Sequence, residues 1–131
     1  MGKSFRLQMK VRDYECDMQG IVNNAVYQNY LEFARHEYLE SRGVSFAELT
    51  KLGVIIAMVR AEIDYKRSLK AGDEFTVSVM ASRPSRIRLQ FEQEIRRAAS
   101  DELMLKAVIT TTAVNERNRP YFPAVLENIM E

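Results

Sequence analysis

The sequence predicts an α+β fold in which an antiparallel sheet wraps around one long helix. In residues 5–11, and again from residue 55 onward, apolar side chains recur mostly at every second position, as in strands with one buried face. Between these regions the apolar residues recur every three or four positions, which is typical of an amphipathic helix. Short turns join the later strands, and strands joined by tight turns lie antiparallel.

The long helix is predicted over residues 26–42. Its apolar stripe consists of Tyr27, Tyr30, Leu31, Ala34, Tyr38 and Leu39, and its charged face is expected to carry Glu32, Arg35, Glu37 and Glu40. Asn23 or Asn24 can cap the amino terminus of this helix. Gly43 stands where a left-handed residue commonly ends a helix.

A short second helix and four more strands complete the predicted order. The helix opens with the capping sequence of residues 45–48 and ends at Gly53. The strands are expected at about residues 55–65, 75–81, 87–95 and 103–114. In the first of them, one face is expected to carry Ile55, Ala57, Val59, Ala61, Ile63 and Tyr65. Because this arrangement leaves an exposed sheet edge, a dimer is expected.

Composition limits the classes of function. The chain has 131 residues, with 19 basic and 18 acidic side chains, which predicts a single domain over residues 1–131 with a net charge of +1. This balance offers no electrostatic footprint for nucleic acid. One cysteine and one histidine exclude a disulfide framework and a metal site rich in these residues. The longest apolar run, residues 54–59, is too short for a membrane span, and no signal peptide is visible, so a cytoplasmic location is expected.

Most enzyme signatures are missing from the sequence. It contains no nucleophile elbow of serine hydrolases, no phosphate-binding loop and no paired-cysteine motif, and neither a cofactor nor a metal is expected. His36 lies twelve residues beyond Asn24, about 18 Å along a helix, and cannot serve the amino terminus of its own helix. We interpret His36 as a structural or surface residue and Cys16 as a small buried hydrophobe.

The segment before the long helix is the best candidate site. Asp17 follows the first strand, Gly20 permits a sharp turn, and Asn23 and Asn24 lead into the helix. The first turn of a helix has unpaired N–H groups and a partial positive charge, which can bind a carbonyl oxygen as it becomes negative. An aspartate nearby could attack the carbonyl carbon or activate a water molecule. The alternative is that these residues only cap a turn and a helix.

Residues 11–32 resemble the opening motif of the 4-hydroxybenzoyl-CoA thioesterase family. The resemblance lies in Tyr14-Glu15-Cys16-Asp17, in Gly20-Ile21-Val22 and in Asn23-Asn24-Ala25-Val26-Tyr27. The last of these stretches is similar to the acyl-lipid thioesterases of plants and cyanobacteria, which act on acyl-ACP or acyl-CoA. Weaker similarity continues through residues 63–65, 71–75 and 117–120, and so covers essentially the whole chain. The resemblance implies a hotdog fold, an antiparallel sheet of five to six strands wrapped around one central helix.

The resemblance also implies an activity, the hydrolysis of acyl thioesters of coenzyme A or acyl carrier protein to a free acid and a thiol. Asp17 matches the family's catalytic carboxylate, which acts as nucleophile or general base. Asn24 matches the residue whose backbone N–H polarises the thioester carbonyl. Many relatives have histidine or tyrosine there, but every residue except proline keeps the N–H donor. Family members assemble as dimers that often pair into tetramers, so a homodimer or homotetramer is expected.

Two alternatives to the hydrolase remain, an acyl-binding protein without catalysis and a dehydratase-like hotdog protein. A dehydratase of this fold needs a catalytic histidine near the helix, and His36 is badly placed for that role.

Two groups of residues are expected to bind the substrate. A groove for a medium or long aliphatic acyl chain is expected to be lined by Ile21, Val22, Tyr27, Tyr30, Leu31, Phe46, Val54, Ile56 and Met58, with Gly20 beside them. The alternative is that these side chains only form the core.

The phosphates of coenzyme A are expected to meet Arg86 and Arg88 on one strand face, together with Arg83, Arg96 and Arg97. The alternative is that these arginines only keep the sheet soluble. No cationic side chain is evident near the helix start, which argues against hydroxybenzoyl substrates.

Overall fold

A computed structural model describes residues 5–130, which form a six-stranded sheet and two α-helices. The strands are β1 (Phe5–Lys10), β2 (Ile55–Tyr65), β3 (Glu74–Ser82), β4 (Arg88–Arg97), β5 (Leu103–Val114) and β6 (Pro120–Tyr121). The helices are α1 (Asn24–Ser41) and α2 (Phe46–Lys51). The predicted α+β architecture, with one long helix and an antiparallel sheet, is confirmed.

The two helices connect β1 and β2, which lie at opposite edges of the sheet. The order is β1-β3-β4-β5-β2, with β6 paired to the end of β5, and all pairs are antiparallel. The chain therefore leaves β1 at one edge, passes through α1 and α2, and enters β2 at the other edge. Within residues 5–130, β2 has a strand partner on one side only. This free edge agrees with the exposed edge expected from the sequence.

The apolar stripe of α1 packs on the inner face of the sheet. The stripe contributes Tyr27, Tyr30, Leu31, Ala34, Tyr38 and Leu39, each at most 3% exposed. The central strands contribute Phe75, Val77, Val79, Leu89, Phe91, Ile95, Leu105, Ala107 and Ile109. Burying one such large apolar side chain contributes about 1.5–3 kcal/mol, so this single core holds α1 firmly on the sheet.

The sequence signals for the helix ends are confirmed. Asn23 is the N-cap of α1, since its side-chain oxygen accepts a hydrogen bond from the Ala25 N–H at 2.9 Å. Gly43 follows α1 with a φ of 83°, in the left-handed region. The Ser45 hydroxyl accepts a hydrogen bond from the Glu48 N–H at 3.1 Å and so caps α2.

The face predicted for β2 is wrong in its first half. The register between β2 and β5 shifts between Met58 and Arg60, which leaves Val59 as a bulge. Residues directly opposite each other in an antiparallel pair share a face, and one extra residue reverses the alternation. The inner face of β2 therefore carries Ile56 and Met58 before the bulge and Ala61, Ile63 and Tyr65 after it.

No helix of residues 5–130 is long and apolar enough to cross a membrane. The cytoplasmic location expected from the sequence stays a prediction.

Candidate active site

The chain between β1 and α1 folds into a small hairpin that carries Asp17. Three successive backbone pairs hold it together, namely Glu15 with Asn23, Cys16 with Val22, and Asp17 with Ile21. The Gly20 N–H closes the turn by donating to the Asp17 carbonyl oxygen at 3.0 Å. Gly20 has a φ of 79°, a left-handed conformation that favours glycine. We call this segment the 15–23 hairpin, and α1 begins directly after it.

Asp17 presents its carboxylate at the turn end of the 15–23 hairpin. The residue is exposed, and its Oδ1 accepts a hydrogen bond from the Gln19 N–H at 2.8 Å. No second donor to this carboxylate is found within residues 5–130. Asn23, the residue before α1, pairs with Glu15. Asp17 lies two residues after Glu15 on the same strand of the hairpin, which is about 7 Å from this pair. One carboxylate oxygen is thus held by the turn, and the other is available to a ligand.

The start of α1 leaves one N–H group open. The Ala25 and Val26 N–H groups both donate to Asn23, to its side-chain and backbone oxygens respectively, at 2.9 Å. In the described part of the chain the Asn24 N–H has no acceptor. Asn24 is exposed, and no acidic residue in the first turn offsets the partial positive charge of the helix end. A carbonyl oxygen can therefore accept a hydrogen bond at this position.

Glu15 is a supporting residue that sequence reasoning missed. Its buried carboxylate accepts hydrogen bonds from the Tyr30 hydroxyl at 2.7 Å and from the Arg12 N–H at 2.8 Å. Burial, together with the neighbouring Glu15 carboxylate, raises the pKa of Tyr30, so the phenol stays a donor. This contact ties the hairpin that carries Asp17 to the second turn of α1. No sequence pattern marks the two residues as partners, because they are fifteen positions apart.

Five of the predicted groove residues lie in the core. Val22, Tyr27, Tyr30, Leu31 and Val54 are each at most 7% exposed. The Tyr27 hydroxyl accepts a hydrogen bond from the Leu69 N–H at 2.8 Å, and burial raises its pKa. α1 turns Tyr27, Tyr30 and Leu31 toward the sheet, and all five side chains offer almost no surface to a ligand. Gly20 is exposed and Ile21 half-buried, so these two remain beside Asp17.

A cavity beside α1 brings together another part of the predicted groove. It has a volume of about 150 Å³ and is lined by Glu32, Arg35, His36, Leu39, Phe46, Ile56, Met58, Phe91 and Thr111. We call it the Arg35 cavity. The prediction that Arg35 lies on the charged face of the helix is wrong, since this side chain is 8% exposed. It occupies the position one turn after Leu31, on the buried stripe.

His36 lines the Arg35 cavity and is half-buried, with its ring centroid 4.0 Å from that of Phe46. Burial lowers the pKa of His36, so the ring is neutral at pH 7.

Cys16 is half-buried, and its desolvation raises the pKa of the thiol. Among residues 5–130, no three histidine, cysteine, aspartate or glutamate side chains lie close enough together to hold a metal ion.

The predicted arginine cluster is divided between the two ends of the sheet. β3 starts beside the hairpin and ends at Ser82, about 26 Å away at 3.3 Å per residue. Arg86 lies beyond that far end and precedes β4, so the prediction that it shares a strand face with Arg88 is wrong. Arg97, opposite Phe75, lies at the Asp17 end. Arg86 and Arg88 are therefore remote from Asp17 of the same chain.

An antiparallel sheet of six strands packed on one long helix is the architecture of the hotdog fold. The chain belongs to the thioesterase-like superfamily, whose family model matches residues 11–129. The predicted hotdog fold and family are thereby confirmed.

Individual relatives agree with this assignment. The chain is 36% identical over 120 residues to a chloroplast acyl-acyl carrier protein thioesterase of Arabidopsis thaliana, covering 92% of this chain and 64% of that protein. It is 37% identical over 71 residues to a long-chain acyl-CoA thioesterase of Escherichia coli, covering 54% and 53% of the two chains. Among solved structures, a 1,4-dihydroxy-2-naphthoyl-CoA thioesterase from Synechocystis superposes with a TM-score of 0.92 at 20% identity, over 98% of this chain and 96% of that one. This last likeness shows the fold alone.

Proposed function

We propose that the protein hydrolyses acyl thioesters of coenzyme A or acyl carrier protein to a free acid and a thiol. The observation that carries the proposal is the exposed Asp17 carboxylate on the hairpin that leads into α1, together with an Asn24 N–H that has no acceptor in the described part of the chain. Membership of the thioesterase-like superfamily supports the reaction class. Relatives named as acyl-ACP and acyl-CoA thioesterases support the two carriers.

In the proposed reaction, the thioester carbonyl oxygen accepts a hydrogen bond from the Asn24 N–H. Asp17 attacks the carbonyl carbon or removes a proton from an attacking water molecule, and the carbon–sulfur bond then breaks with release of the thiolate. In the first route the acyl group is left on Asp17 as an anhydride, which water hydrolyses to the free acid and the restored carboxylate. In both routes the thiolate takes up the proton that the water molecule gives up. The N–H group and the partial charge of the helix stabilise the oxyanion, and one such donor is worth about 3 kcal/mol in enzymes. A thiolate leaves readily, so the site needs no histidine.

Glu15 and Tyr30 have a positioning role in this proposal. Their hydrogen bond fixes the 15–23 hairpin on α1, so the carboxylate and the helix start keep one relative position. Asp17 then approaches the carbonyl carbon from a fixed direction, which is where much of the rate gain from orientation arises.

We also propose that two chains pair along β2, with the active site at the subunit boundary. The free edge of this eleven-residue strand carries large apolar side chains, and Ile55 is 59% exposed while Met58 and Val59 are each 47% exposed. A long apolar strand edge is a surface for pairing with another chain. Only a second chain could bring Arg86 and Arg88 near Asp17. Light scattering should give twice 15.2 kDa or a larger multiple, and a mass near 15.2 kDa at micromolar concentration would contradict the pairing.

The reaction is tested by thiol release from a panel of saturated acyl-CoA and acyl-ACP thioesters of short, medium and long chain, with an aromatic acyl-CoA beside them. We expect release from the aliphatic substrates, with kcat/KM rising with chain length until the groove is full, because each buried methylene contributes about 0.8 kcal/mol. A protein that binds acyl groups without catalysis would release no thiol from any of them. A clear preference for the aromatic thioester would contradict the aliphatic groove but not the hydrolysis.

A further inference from the structure

Arg35 is a buried cation that forms no ion pair within residues 5–130. Its Nη1 donates to the Gln93 side-chain oxygen at 3.0 Å, and the Gln93 amide nitrogen donates to the Leu31 carbonyl oxygen at 3.0 Å. A guanidinium has five N–H donors, and within residues 5–130 Arg35 makes no other hydrogen bond or ion pair. Burial lowers the pKa of Arg35 because a buried charge is costly, and the Glu32 carboxylate offsets this lowering only in part.

The unused donors of Arg35 are reached through the Arg35 cavity. Arg35 Nε and Nη2 have no hydrogen-bond partner within residues 5–130, and neither is fully buried. In the described part of the chain, only Arg97 Nε is both fully buried and without a partner. The two Arg35 nitrogens are therefore accessible. Most of the other cavity walls are apolar, formed by Leu39, Ile56 and Phe91 among others. A cavity of about 150 Å³ holds a guest the size of benzene, which is a subsite rather than a whole ligand pocket.

The other titratable groups of the Arg35 cavity form no ion pair with this cation in the described part of the chain. His36 is neutral at pH 7, because burial lowers its pKa. The Glu32 carboxylate lies 3.9 Å from His36 Nε2, and its side chain is 59% exposed, so solvent screens its charge. A ligand that enters the cavity at neutral pH therefore meets the buried positive charge of Arg35, with the solvent-screened negative charge of Glu32 at the rim.

An apolar strip connects this cavity with the start of α1. The inner face of β2 carries Met58 at the cavity, then Ala61 and Ile63, and ends at Tyr65. All four side chains are exposed or half-buried, and the Tyr65 ring lies 5.7 Å from the Tyr27 ring in the first turn of α1. A hydrocarbon chain whose carbonyl group lies at the helix start can follow this strip to Arg35.

We propose that the Arg35 cavity binds a carboxylate at the far end of the acyl group, which makes ω-carboxyacyl thioesters preferred substrates. The inference rests on the proposed thioesterase function. A carboxylate matches the planar donor fork of arginine, and the hydrocarbon matches the apolar strip. From Asn24 to Arg35 is eleven residues, about 16.5 Å along α1. An extended chain advances about 1.2 Å per bond, so roughly 14 bonds span this distance.

The test compares tetradecanedioyl-CoA, the mono-thioester, with tetradecanoyl-CoA. We expect a kcat/KM at least tenfold higher for the carboxylated substrate, because a charge-assisted pair with arginine forms only with that substrate. Arg35→Met should abolish the preference, so that the kcat/KM values for the two substrates differ by less than about twofold. Glu32→Gln should increase the preference, since it removes a negative charge from the rim. The control is Arg42→Met, which removes a cation from the end of α1 outside the cavity and should leave the preference intact.

Equal kcat/KM values in the unmodified protein, or a preference that survives Arg35→Met, would overturn the proposal. A lower oligomer mass for Arg35→Met would assign the cation to a subunit contact and would overturn it as well. If neither substrate releases thiol, the proposed function fails, and calorimetry with free tetradecanedioate then decides the subsite. Binding that Arg35→Met weakens at least tenfold supports the subsite, and equal binding by both proteins refutes it.

Discussion

Asn24→Pro removes one N–H group from the candidate site and changes little else. Asn24 is the first residue of α1, where proline is tolerated because no intrahelical hydrogen bond is lost. The residue before a proline must be extended, and Asn23 already has φ −64° and ψ 139°. The Asn24 side chain is exposed. We therefore expect the free energy of unfolding to change by no more than about 0.5 kcal/mol.

The catalytic effect of Asn24→Pro should be large. Loss of one oxyanion donor costs about 10²–10³ in kcat in known enzymes. Asn24→Ala is the matched control, since it keeps the N–H and should keep most of the activity. Thiol release gives kcat for both variants, and urea unfolding confirms that both are folded. A folded Asn24→Pro variant with unchanged kcat would show that the oxyanion is not bound at the start of α1, and an equal loss in both variants would assign the role to the side chain.

Two further predictions concern the buried tyrosines. Tyr30→Phe should lower the free energy of unfolding by about 1.5–3 kcal/mol in urea titrations, because the buried Glu15 carboxylate loses a hydrogen bond of 2.7 Å. The control is Tyr65→Phe, at a residue that is 46% exposed, which should lower it by less than about 0.5 kcal/mol. Equal losses in the two variants would contradict the assigned contact. Burial raises the pKa of Tyr27, Tyr30 and Tyr38, so the folded state keeps protons that the unfolded state releases, and stability should hold below about pH 10 and fall above it. The folded protein should then show less phenolate absorbance than the unfolded protein at the same pH, and equal absorbance would refute the burial argument.

The sequence was sufficient for the elements whose signals are local. The side chain of Asn23 and the left-handed Gly43 mark the two ends of α1, and alternation of apolar residues marks the strands. The bulge at Val59 could not be predicted, because an apolar residue in a strand gives no sign that its backbone leaves the register. One such residue reversed the predicted face of half of β2.

The candidate site was predictable only in part, for a similar reason. Asp17 and Asn24 lie within one short segment, and the motif around them identifies the family. The contact between Glu15 and Tyr30 depends on how the 15–23 hairpin packs on α1, which is a tertiary feature. Arg35 was expected among charged neighbours, but the helical repeat places it one turn after Leu31, on the face that the sheet covers.

The central claim is that the Asp17 carboxylate takes part in the chemical step, and the most direct measurement is the kcat of Asp17→Asn beside that of Asp13→Asn. The asparagine oxygen can still accept the hydrogen bond from the Gln19 N–H, so the hairpin keeps its turn while the charge is lost. Asp13 is an exposed aspartate four residues earlier and serves as the matched control. We predict that Asp17→Asn lowers kcat at least about a hundredfold and that Asp13→Asn leaves it unchanged. A folded Asp17→Asn variant that turns over as fast as the parent would contradict the claim.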